Sequence, residues 1–144
     1  MNLFGMLELR GSALGAERQR AEVVASNMAN SQTTRTPAGG PYRRQLVVFQ
    51  AQRAPRFSLA LAGLHPQSVS AVRVAAVVPD ARPPVLRFEP GHPDANAQGY
   101  VAYPQVDPIE EMTDLLGAVR AYELNASAVQ ATKNMISQSL ELLR

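Results

Sequence analysis

Apolar residues follow a heptad pattern in the last third of the chain, from "VDPIEEM" onward. One stripe of this pattern consists of Met112, Val119, Ala126 and Leu140, with Lys133 as its polar member. A second stripe consists of Leu115, Tyr122, Val129, Ile136 and Leu143. Two apolar positions per heptad, kept over this length, are typical of a helix that pairs with other helices. The pattern therefore predicts a long amphipathic helix over residues 108–144.

A similar stripe lies near the beginning of the chain. It consists of Leu7, Leu14, Ala21 and Met28, with Leu3 and Val24 beside it. Charged residues occupy the opposite face, as in an amphipathic helix. We therefore predict a helix over residues 1–30. Asn30 is expected to end it, because Asn tolerates the left-handed C-terminal cap conformation and Pro37 prevents continuation.

The middle of the chain has a different character, because all eleven prolines lie between Pro37 and Pro108. Proline costs about 3 kcal/mol in a helix interior, so a helical middle is excluded. Runs of β-branched and aromatic residues, bounded by Pro, Gly or Asp, predict strands there instead. These runs are "LVVFQ" at 46–50, "VSAVRVAAVV" at 69–78, "PVLRF" at 84–88 and "YVAY" at 100–103.

The predicted fold class is α+β, in a chain of 144 residues that is one domain's worth of sequence. Long N- and C-terminal helices would pack as a coiled-coil-like pair, beside a small β-rich, Pro-rich middle segment. The chain would divide into an N-terminal assembly helix (1–30), a central strand and loop region (31–107) and a C-terminal assembly helix (108–144).

The start of the second helix carries clear capping chemistry. Asp107 can accept backbone N–H bonds as the N-cap, and Pro108 suits the first helical position because it has no donor to lose. Glu110 is expected to close a capping box back to Asp107. The acidic residues Glu110, Glu111 and Asp114 also complement the positive end of the helix dipole.

Candidate catalytic and metal-binding chemistry is sparse. The chain has no cysteine, which excludes disulfides and thiolate sites, and its two histidines, His65 and His92, both precede proline. The stretch from Asp94 resembles the opening of a calcium loop, but Gln105 stands where that loop needs a bidentate Glu. We therefore expect no catalytic residue, no cofactor and no metal site, and a polar turn around Asp94.

Charge and hydropathy bear on nucleic-acid binding, membrane insertion and secretion. A net charge of +2 is too small to indicate nucleic-acid binding by itself. No apolar run approaches the roughly 20 residues of a membrane helix. The N-terminus lacks a basic residue before Arg10, and Glu8 interrupts its apolar run, so a cleaved secretion signal is not expected.

The apolar stripes admit two interpretations: an ordinary intramolecular core, or surfaces for assembly. A helix over 108–144 would be about 50 Å long, whereas a domain of this size has a radius of gyration of roughly 15 Å. Pairing with the shorter first helix would leave part of the stripe uncovered, and large apolar patches are rarely left in water. We therefore assign the stripe residues to an assembly interface: Leu3, Leu7, Leu14, Ala21, Val24, Met28, Met112, Leu115, Val119, Tyr122, Ala126, Val129, Ile136, Leu140 and Leu143.

Several segments resemble a known family. The stretch "GSALGAERQRAEVVASNMANSQTT" is similar to the N-terminal signature of flagellar basal-body rod and hook proteins, with its A-x-N-x-A-N turn at Ala25, Asn27, Ala29 and Asn30. The stretches "TRTPAGGPYRRQLVVFQ", "FEPGHPDANAQGYVAYPQVDPIEEMTDLL" and "AVRAYELNASAVQATKNMI" resemble the proximal rod members of that family. The match follows the chain in order and is weakest at about 53–70.

The resemblance implies a structural role. Proteins of this family polymerise with the rod proteins FlgB, FlgF and FlgG, and with further copies of themselves, into the helical tube that crosses the periplasm. That tube transmits torque and encloses the export channel. Subunits pass through the flagellar type III export apparatus without a cleaved signal peptide. The resemblance thus implies no enzymatic activity, no nucleic-acid partner and no membrane insertion.

Other interpretations remain at this point. Asn27 and Asn30 are expected to fix the turn out of the first helix, although plain capping explains them equally well. A coiled-coil adaptor or a secretion-needle-like assembly protein would share the terminal helices but not the match in the middle. An enzyme centred on His92 is the least favoured alternative.

Overall fold

The computed structural model describes residues 3–53 and 69–142. Two long helices and four strands follow one another in the order α1 (Leu3–Ala29), β1 (Gln45–Arg53), β2 (Val69–Pro79), β3 (Val85–Phe88), β4 (Tyr100–Tyr103) and α2 (Pro108–Glu141). The α+β prediction is confirmed, and each predicted strand has its counterpart. Residues 54–68, which make up most of the weakly matching stretch and include His65, lie outside the described residues, as do Leu143 and the side chain of Leu3.

The strands form two small sheets. β1 pairs with β2 in one of them, and β3 pairs with β4 in the other. The second pair is antiparallel, with Leu86 opposite Ala102 and Phe88 opposite Tyr100. Two-stranded sheets need support on one face to be stable.

The chain folds into two compact units, and both long helices and both strands of the first sheet contribute to each. One unit comprises Met1–Gln19, Val48–Ala76 and Gly117–Arg144, and the other comprises Arg20–Val47 and Val77–Leu116. Ala16 and Ala118 are buried in the first unit, and Val24 and Val101 in the second.

Polar contacts join the two helices within each unit. In the second unit, Arg20 Nη2 lies 3.4 Å from Asp114 Oδ1, and Asn27 Nδ2 lies 3.0 Å from Glu111 Oε2. Residue numbers rise along α1 as they fall along α2, so the helices are antiparallel there. In the first unit, Arg10 Nη1 donates a hydrogen bond of 3.1 Å to Asn125 Oδ1.

The α2 helix begins where its capping chemistry indicates. Asp107 Oδ1 accepts a hydrogen bond of 2.9 Å from the N–H of Ile109, and Pro108 is the first helical residue. Glu110 has a different partner from the one expected, because its carboxylate lies 3.4 Å from Arg44 Nη2. An ion pair with the β1 side of the chain thus takes the place of the predicted capping box.

The α1 helix ends at Ala29, one residue before the predicted end, but not by a left-handed cap. Within residues 3–53 and 69–142, positive φ angles occur only at glycines, so that expectation for Asn30 is wrong. Asn30 instead donates both its backbone N–H and its Nδ2 to the carbonyl of Ser26, at 3.0 and 2.9 Å. Its Oδ1 then accepts a hydrogen bond of 3.1 Å from the hydroxyl of Thr33. Asn30 thus adds a side-chain bond to the regular bond of the last helical turn, and its backbone keeps a negative φ.

Candidate functional site

Asn27 lies at the centre of a buried polar cluster near the end of α1, with only 1% of its surface exposed. Its Oδ1 accepts hydrogen bonds from the N–H of Gln45, at 2.8 Å, and from the hydroxyl of Tyr42, at 2.9 Å. Its Nδ2 donates to the carbonyl of Gln45, at 2.9 Å, and to Glu111 Oε2, at 3.0 Å. An Asn side chain has two donor hydrogens and an oxygen with two lone pairs, so Asn27 uses its full capacity.

Glu111 supplies the carboxylate of this cluster and is completely buried in the first turn of α2. Its Oε1 accepts a hydrogen bond from Arg44 Nε, while Oε2 accepts the bond from Asn27. Arg44 is itself buried, and its Nη2 lies 3.4 Å from Glu110 and 3.6 Å from Asp114. One guanidinium thus faces carboxylates on three side chains.

The pKa of Arg44 reflects two opposing effects. Burial disfavours the charged guanidinium and by itself lowers the pKa of Arg44. The hydrogen bond to Glu111 and the charges of Glu111, Glu110 and Asp114 act in the other direction, and together they hold the pKa above its usual value. The guanidinium is therefore charged at every physiological pH, and the cluster does not depend on its titration.

We call Asn27, Tyr42, Arg44, Gln45 and Glu111 the Asn27 cluster. It joins the end of α1, the beginning of β1 and the first turn of α2 through buried hydrogen bonds. The carbonyl of Arg44 also accepts a hydrogen bond of 2.7 Å from the N–H of Asp80, just after β2. Because its donors and acceptors satisfy one another, the arrangement suits a structural joint rather than acid–base chemistry.

Sequence reasoning found only part of this cluster. The sequence indicates a turn at Asn27 and a charge at Glu111 that complements the helix dipole, but it does not point to Tyr42 or Arg44. The buried face of α2 carries Glu111, Ala118 and Thr132, which recur at one heptad position. These side chains are polar or small, so a pattern of large apolar residues does not reveal this face. The family signature around Asn27 was the signal that pointed to this region.

The polar loop between β3 and β4 holds itself together. His92 Nδ1 accepts a hydrogen bond of 3.1 Å from the N–H of Asp94, and its ring lies edge-on to Tyr103, with the ring centres 6.3 Å apart. Asp94 Oδ2 accepts a hydrogen bond of 2.8 Å from the hydroxyl of Thr34. Asn96 Oδ1 accepts hydrogen bonds from the backbone N–H groups of Gln98, at 2.9 Å, and Tyr100, at 3.0 Å. These residues therefore shape a turn, as the sequence indicates.

Two findings within the described residues, 3–53 and 69–142, concern membrane crossing and metal binding. Neither α1 nor α2 has a stretch long and apolar enough to cross a membrane. Within the same ranges, His, Asp and Glu side chains do not gather in a group of three or more that could hold a metal ion.

Comparison with known proteins identifies the family. The family model described as "Flagella basal body rod protein" matches residues 7–35, and the one described as "Flagellar basal body rod FlgEFG protein C-terminal" matches residues 97–142. The chain is 41% identical to "Flagellar basal-body rod protein FlgC" of Bacillus subtilis, over 99% of each chain. It is 39% identical to the protein of that name from Yersinia enterocolitica, over 99% of this chain and 98% of the relative. The chain belongs to the FlgC family of flagellar basal-body rod proteins.

A third relative supports the same assignment. "Flagellar basal-body rod protein FlgC" of Borreliella burgdorferi is 37% identical over 100% of this chain and 99% of the relative. The resemblance found in the sequence is thereby confirmed. The two matched segments contain Asn27 and Glu111, the residues that meet in the buried cluster of this FlgC family chain.

The first predicted stripe of α2 is mostly exposed in this FlgC family chain. Met112, Val119, Ala126 and Leu140 are exposed, whereas Glu111, Ala118 and Thr132, each one residue earlier in the heptad, are buried. One residue corresponds to a rotation of about 100° around a helix. The face that α2 buries within its own chain is therefore rotated away from this stripe, which differs from the predicted pairing.

The other predicted interface residues differ in how far they are buried. On α2, Leu115, Val129 and Ile136 are half-buried, and Tyr122 is exposed. On α1, Val24 is buried, and the remaining described stripe residues, Leu7, Leu14, Ala21 and Met28, are half-buried. The sequence stripes missed further exposed apolar side chains, namely Ile109, Leu116, Leu124 and Met135 on α2 and Leu142 just after it.

Proposed function

We propose that this FlgC family chain is a structural subunit of the proximal rod that polymerises through its terminal helices. The resulting helical tube would transmit torque and enclose the export channel. The observation that carries the proposal is the exposed apolar stripe along α2, of which Met112, Val119 and Leu140 are members. Exposed apolar patches of this extent mark interaction surfaces, because a soluble monomer rarely leaves them in water.

The charge and polarity around the stripe support assembly rather than membrane binding. Glu110 and Glu123 are exposed on the same helix, and Lys133 interrupts the stripe itself. Partner helices of similar character would cover the apolar side chains and leave these charges at the rim. We infer that the partners are FlgB, FlgF, FlgG and further copies of this chain. We do not propose nucleic-acid binding, membrane insertion or catalysis.

The segments would then have separate roles. Residues 1–30 and 108–144 form the assembly helices, and residues 31–107 form the strand and loop region between them. The Asn27 cluster would set where α1 ends and α2 begins, with Asn30, Asp107 and Pro108 defining the helix ends. We place the subunit in the rod that crosses the periplasm, after export by the flagellar type III apparatus without a cleaved signal peptide.

Complementation tests this function. An epitope-tagged copy is expressed in a bacterium that lacks its own FlgC gene, and basal bodies are then purified. The tagged chain is expected to restore swimming and to remain with the basal bodies after extraction. Swimming cells whose purified basal bodies lack the chain would contradict a role as rod subunit and would favour an adaptor.

A further inference from the structure

A small cavity is lined by residues of the segments 39–44 and 80–84, together with Gln105. Its volume is about 140 Å³, and all of its lining residues belong to the second compact unit. Gly40, Arg43 and Arg82 are exposed members of this lining, so a ligand can reach the cavity from the surface. We call it the Arg43 cavity.

Positive charge predominates in the lining, which contains the arginines Arg43, Arg44 and Arg82 and the single carboxylate of Asp80. Two of these arginines already have a carboxylate partner. Glu111 accepts a hydrogen bond from Arg44 Nε, and Asp80 Oδ2 accepts one of 2.6 Å from Arg82 Nε. Within residues 3–53 and 69–142, the guanidinium of Arg43 has no such partner. The cavity therefore carries one positive charge that the described part of the chain does not balance.

The carboxylate of Asp80 does not compete for the place of an entering anion. Both of its oxygens are used by Arg82, since Oδ1 accepts the backbone N–H at 2.9 Å and Oδ2 accepts Nε. The side chain of Asp80 is 13% exposed and that of Arg82 49%, so the surface presents the guanidinium. A guanidinium has five N–H donors, and those on the two Nη atoms of Arg82 remain for a ligand. An anion in the cavity thus meets donors of Arg43 and Arg82.

The lining favours a carboxylate on an aliphatic stem. Guanidinium groups bind carboxylate and phosphate alike. One unbalanced positive charge matches the single charge of a carboxylate, whereas a phosphate group carries about −1.5 to −2 and would leave an excess beside Asp80. Pro41, Tyr42 and Pro84 supply apolar surface in the same lining, against which methylene carbons can pack. The end of an aspartate or glutamate side chain combines both properties.

We propose that the Arg43 cavity receives the carboxylate of an aspartate or glutamate from a neighbouring subunit. This inference rests on the proposed function, because the rod places such a subunit beside this one. The contact would act differently from the apolar stripe of α2. A charge pair enclosed between two proteins fixes their register and excludes partners with the wrong charge, whereas apolar area supplies affinity without direction.

Carbodiimide cross-linking tests the contact, because Lys133 is the only lysine in the sequence. Arg43→Lys brings a second amine to the cavity. A water-soluble carbodiimide joins an amine to a touching carboxylate as an amide, and it takes up the water that is lost and becomes a urea. After treatment of purified basal bodies, mass spectrometry should find position 43 joined to an aspartate or glutamate of a second chain. Arg73→Lys is the matched control, at an exposed position of β2, and should form no such link.

Charge reversal provides a second measurement. Arg43→Glu places a carboxylate where the cavity would receive one. Recovery of the chain with purified basal bodies should fall about tenfold or more, as expected for the loss of one enclosed charge pair. Arg73→Glu should be recovered like the parent. Urea unfolding of the isolated subunits should give similar stabilities for both variants, because both positions are exposed.

The outcomes separate this contact from the proposed function. If Arg43→Lys enters basal bodies and the cells swim, but position 43 forms no link or links only to Asp80 of its own chain, the contact is wrong and the rod function stands. Undiminished recovery of Arg43→Glu also overturns the contact. A small organic acid joined at position 43, without a second chain, overturns the choice of a neighbouring subunit. Absence of the unmodified chain from basal bodies overturns the proposed function, and this contact with it.

Discussion

The side-chain amide of Asn27 pairs with both backbone polar groups of Gln45, accepting its N–H at 2.8 Å and donating to its carbonyl at 2.9 Å. Asn27 of α1 thus makes the two backbone hydrogen bonds that a neighbouring strand would otherwise make with the first residue of β1. The remaining two hydrogen bonds of Asn27 go to Tyr42 and Glu111. Loss of this one amide therefore affects three separate parts of the chain.

We predict that Asn27→Asp destabilises the fold severely. The substitution removes both Nδ2 donors and places a second carboxylate against buried Glu111, which costs about 3–5 kcal/mol in comparable buried sites. Urea unfolding followed by circular dichroism measures the loss. Asn134→Asp, at an exposed position of α2, is the matched control and should change the free energy of unfolding by less than about 0.5 kcal/mol. Equal stabilities of the two variants would contradict the role of Asn27.

Arg44 and Glu111 should be strongly coupled. Glu111→Leu leaves a buried guanidinium without its nearest partner, and we expect a loss of about 3–5 kcal/mol. The double variant Arg44→Met/Glu111→Leu should lose less than the sum of the two single variants, with a coupling energy of about 2–3 kcal/mol. A double-mutant cycle from urea unfolding provides this value. Additive single variants would show that the pair acts independently.

The pair of Asp80 and Arg82 offers a control for that cycle. Arg82 Nε donates a hydrogen bond of 2.6 Å to Asp80 Oδ2, and Arg82 is exposed. Water screens ion pairs at such positions. The Asp80→Ala/Arg82→Ala cycle should therefore show much weaker coupling than the buried pair.

The N-cap of α2 makes a smaller, local contribution. Asp107→Ala removes the acceptor of the Ile109 N–H, and we expect a loss of about 1 kcal/mol in the free energy of unfolding. Asp107→Asn keeps an acceptor of similar geometry and should stay close to the parent. Thermal unfolding of the three proteins compares them. If Asp107→Asn proves as unstable as Asp107→Ala, then charge, and not capping, matters at this position.

Adjacent residues of α2 should separate folding from assembly. Ala118 is completely buried, whereas Val119 is exposed. Ala118→Asp places an unpaired carboxylate in the interior and should reduce the stability of the isolated subunit. Val119→Asp should leave that stability nearly unchanged but abolish rod incorporation and swimming, because the carboxylate would be buried only between subunits. Normal swimming of the Val119→Asp strain would exclude this stripe from the interface.

Tyr103 gives the fold a dependence on alkaline pH. Its hydroxyl donates a hydrogen bond of 2.9 Å to Glu89 Oε2, and this bond raises the pKa of Tyr103, as do burial and the charge of Glu89, while Arg87 opposes them. A pKa raised on folding stabilises the protein below the unfolded value of about 10, and this stabilisation is lost as pH rises through the folded value.

Tyr103→Phe should therefore flatten the decline of stability at alkaline pH. Urea unfolding at neutral and alkaline pH measures that decline in the parent and the variant. Glu89→Gln should lower the pKa of Tyr103, which absorbance titration of the phenol detects. An unchanged decline in Tyr103→Phe would show that this hydrogen bond does not contribute.

The sequence predicted those features that depend on neighbouring residues. The N-cap at Asp107 is an interaction across two residues, and residue type and order determine it. The two helices and the strand positions likewise follow from periodicity and from the distribution of proline. The position of the end of α1 was predicted to within one residue, but the predicted left-handed cap was wrong. Asn30 instead donates to the Ser26 carbonyl and keeps ordinary backbone angles.

Features that depend on tertiary contacts were not predictable in the same way. Asn27, Arg44 and Glu111 are distant in sequence, and a periodicity argument treats such residues as polar surface. The orientation of α2 was missed because its buried face uses Ala118 and Thr132, while larger apolar side chains such as Met112 point outward. The large apolar side chains therefore mark one face of α2, whereas the chain itself buries a different face.

The hydrogen bond between Asn27 and Glu111 spans 84 residues of sequence. A chain that emerges gradually from a narrow passage, whichever end leads, exposes one of these partners long before the other arrives. Until then the partner that has already emerged remains hydrated, and the joint between the two helices cannot close. The order of synthesis or delivery thus delays completion of the fold until most of the molecule is present.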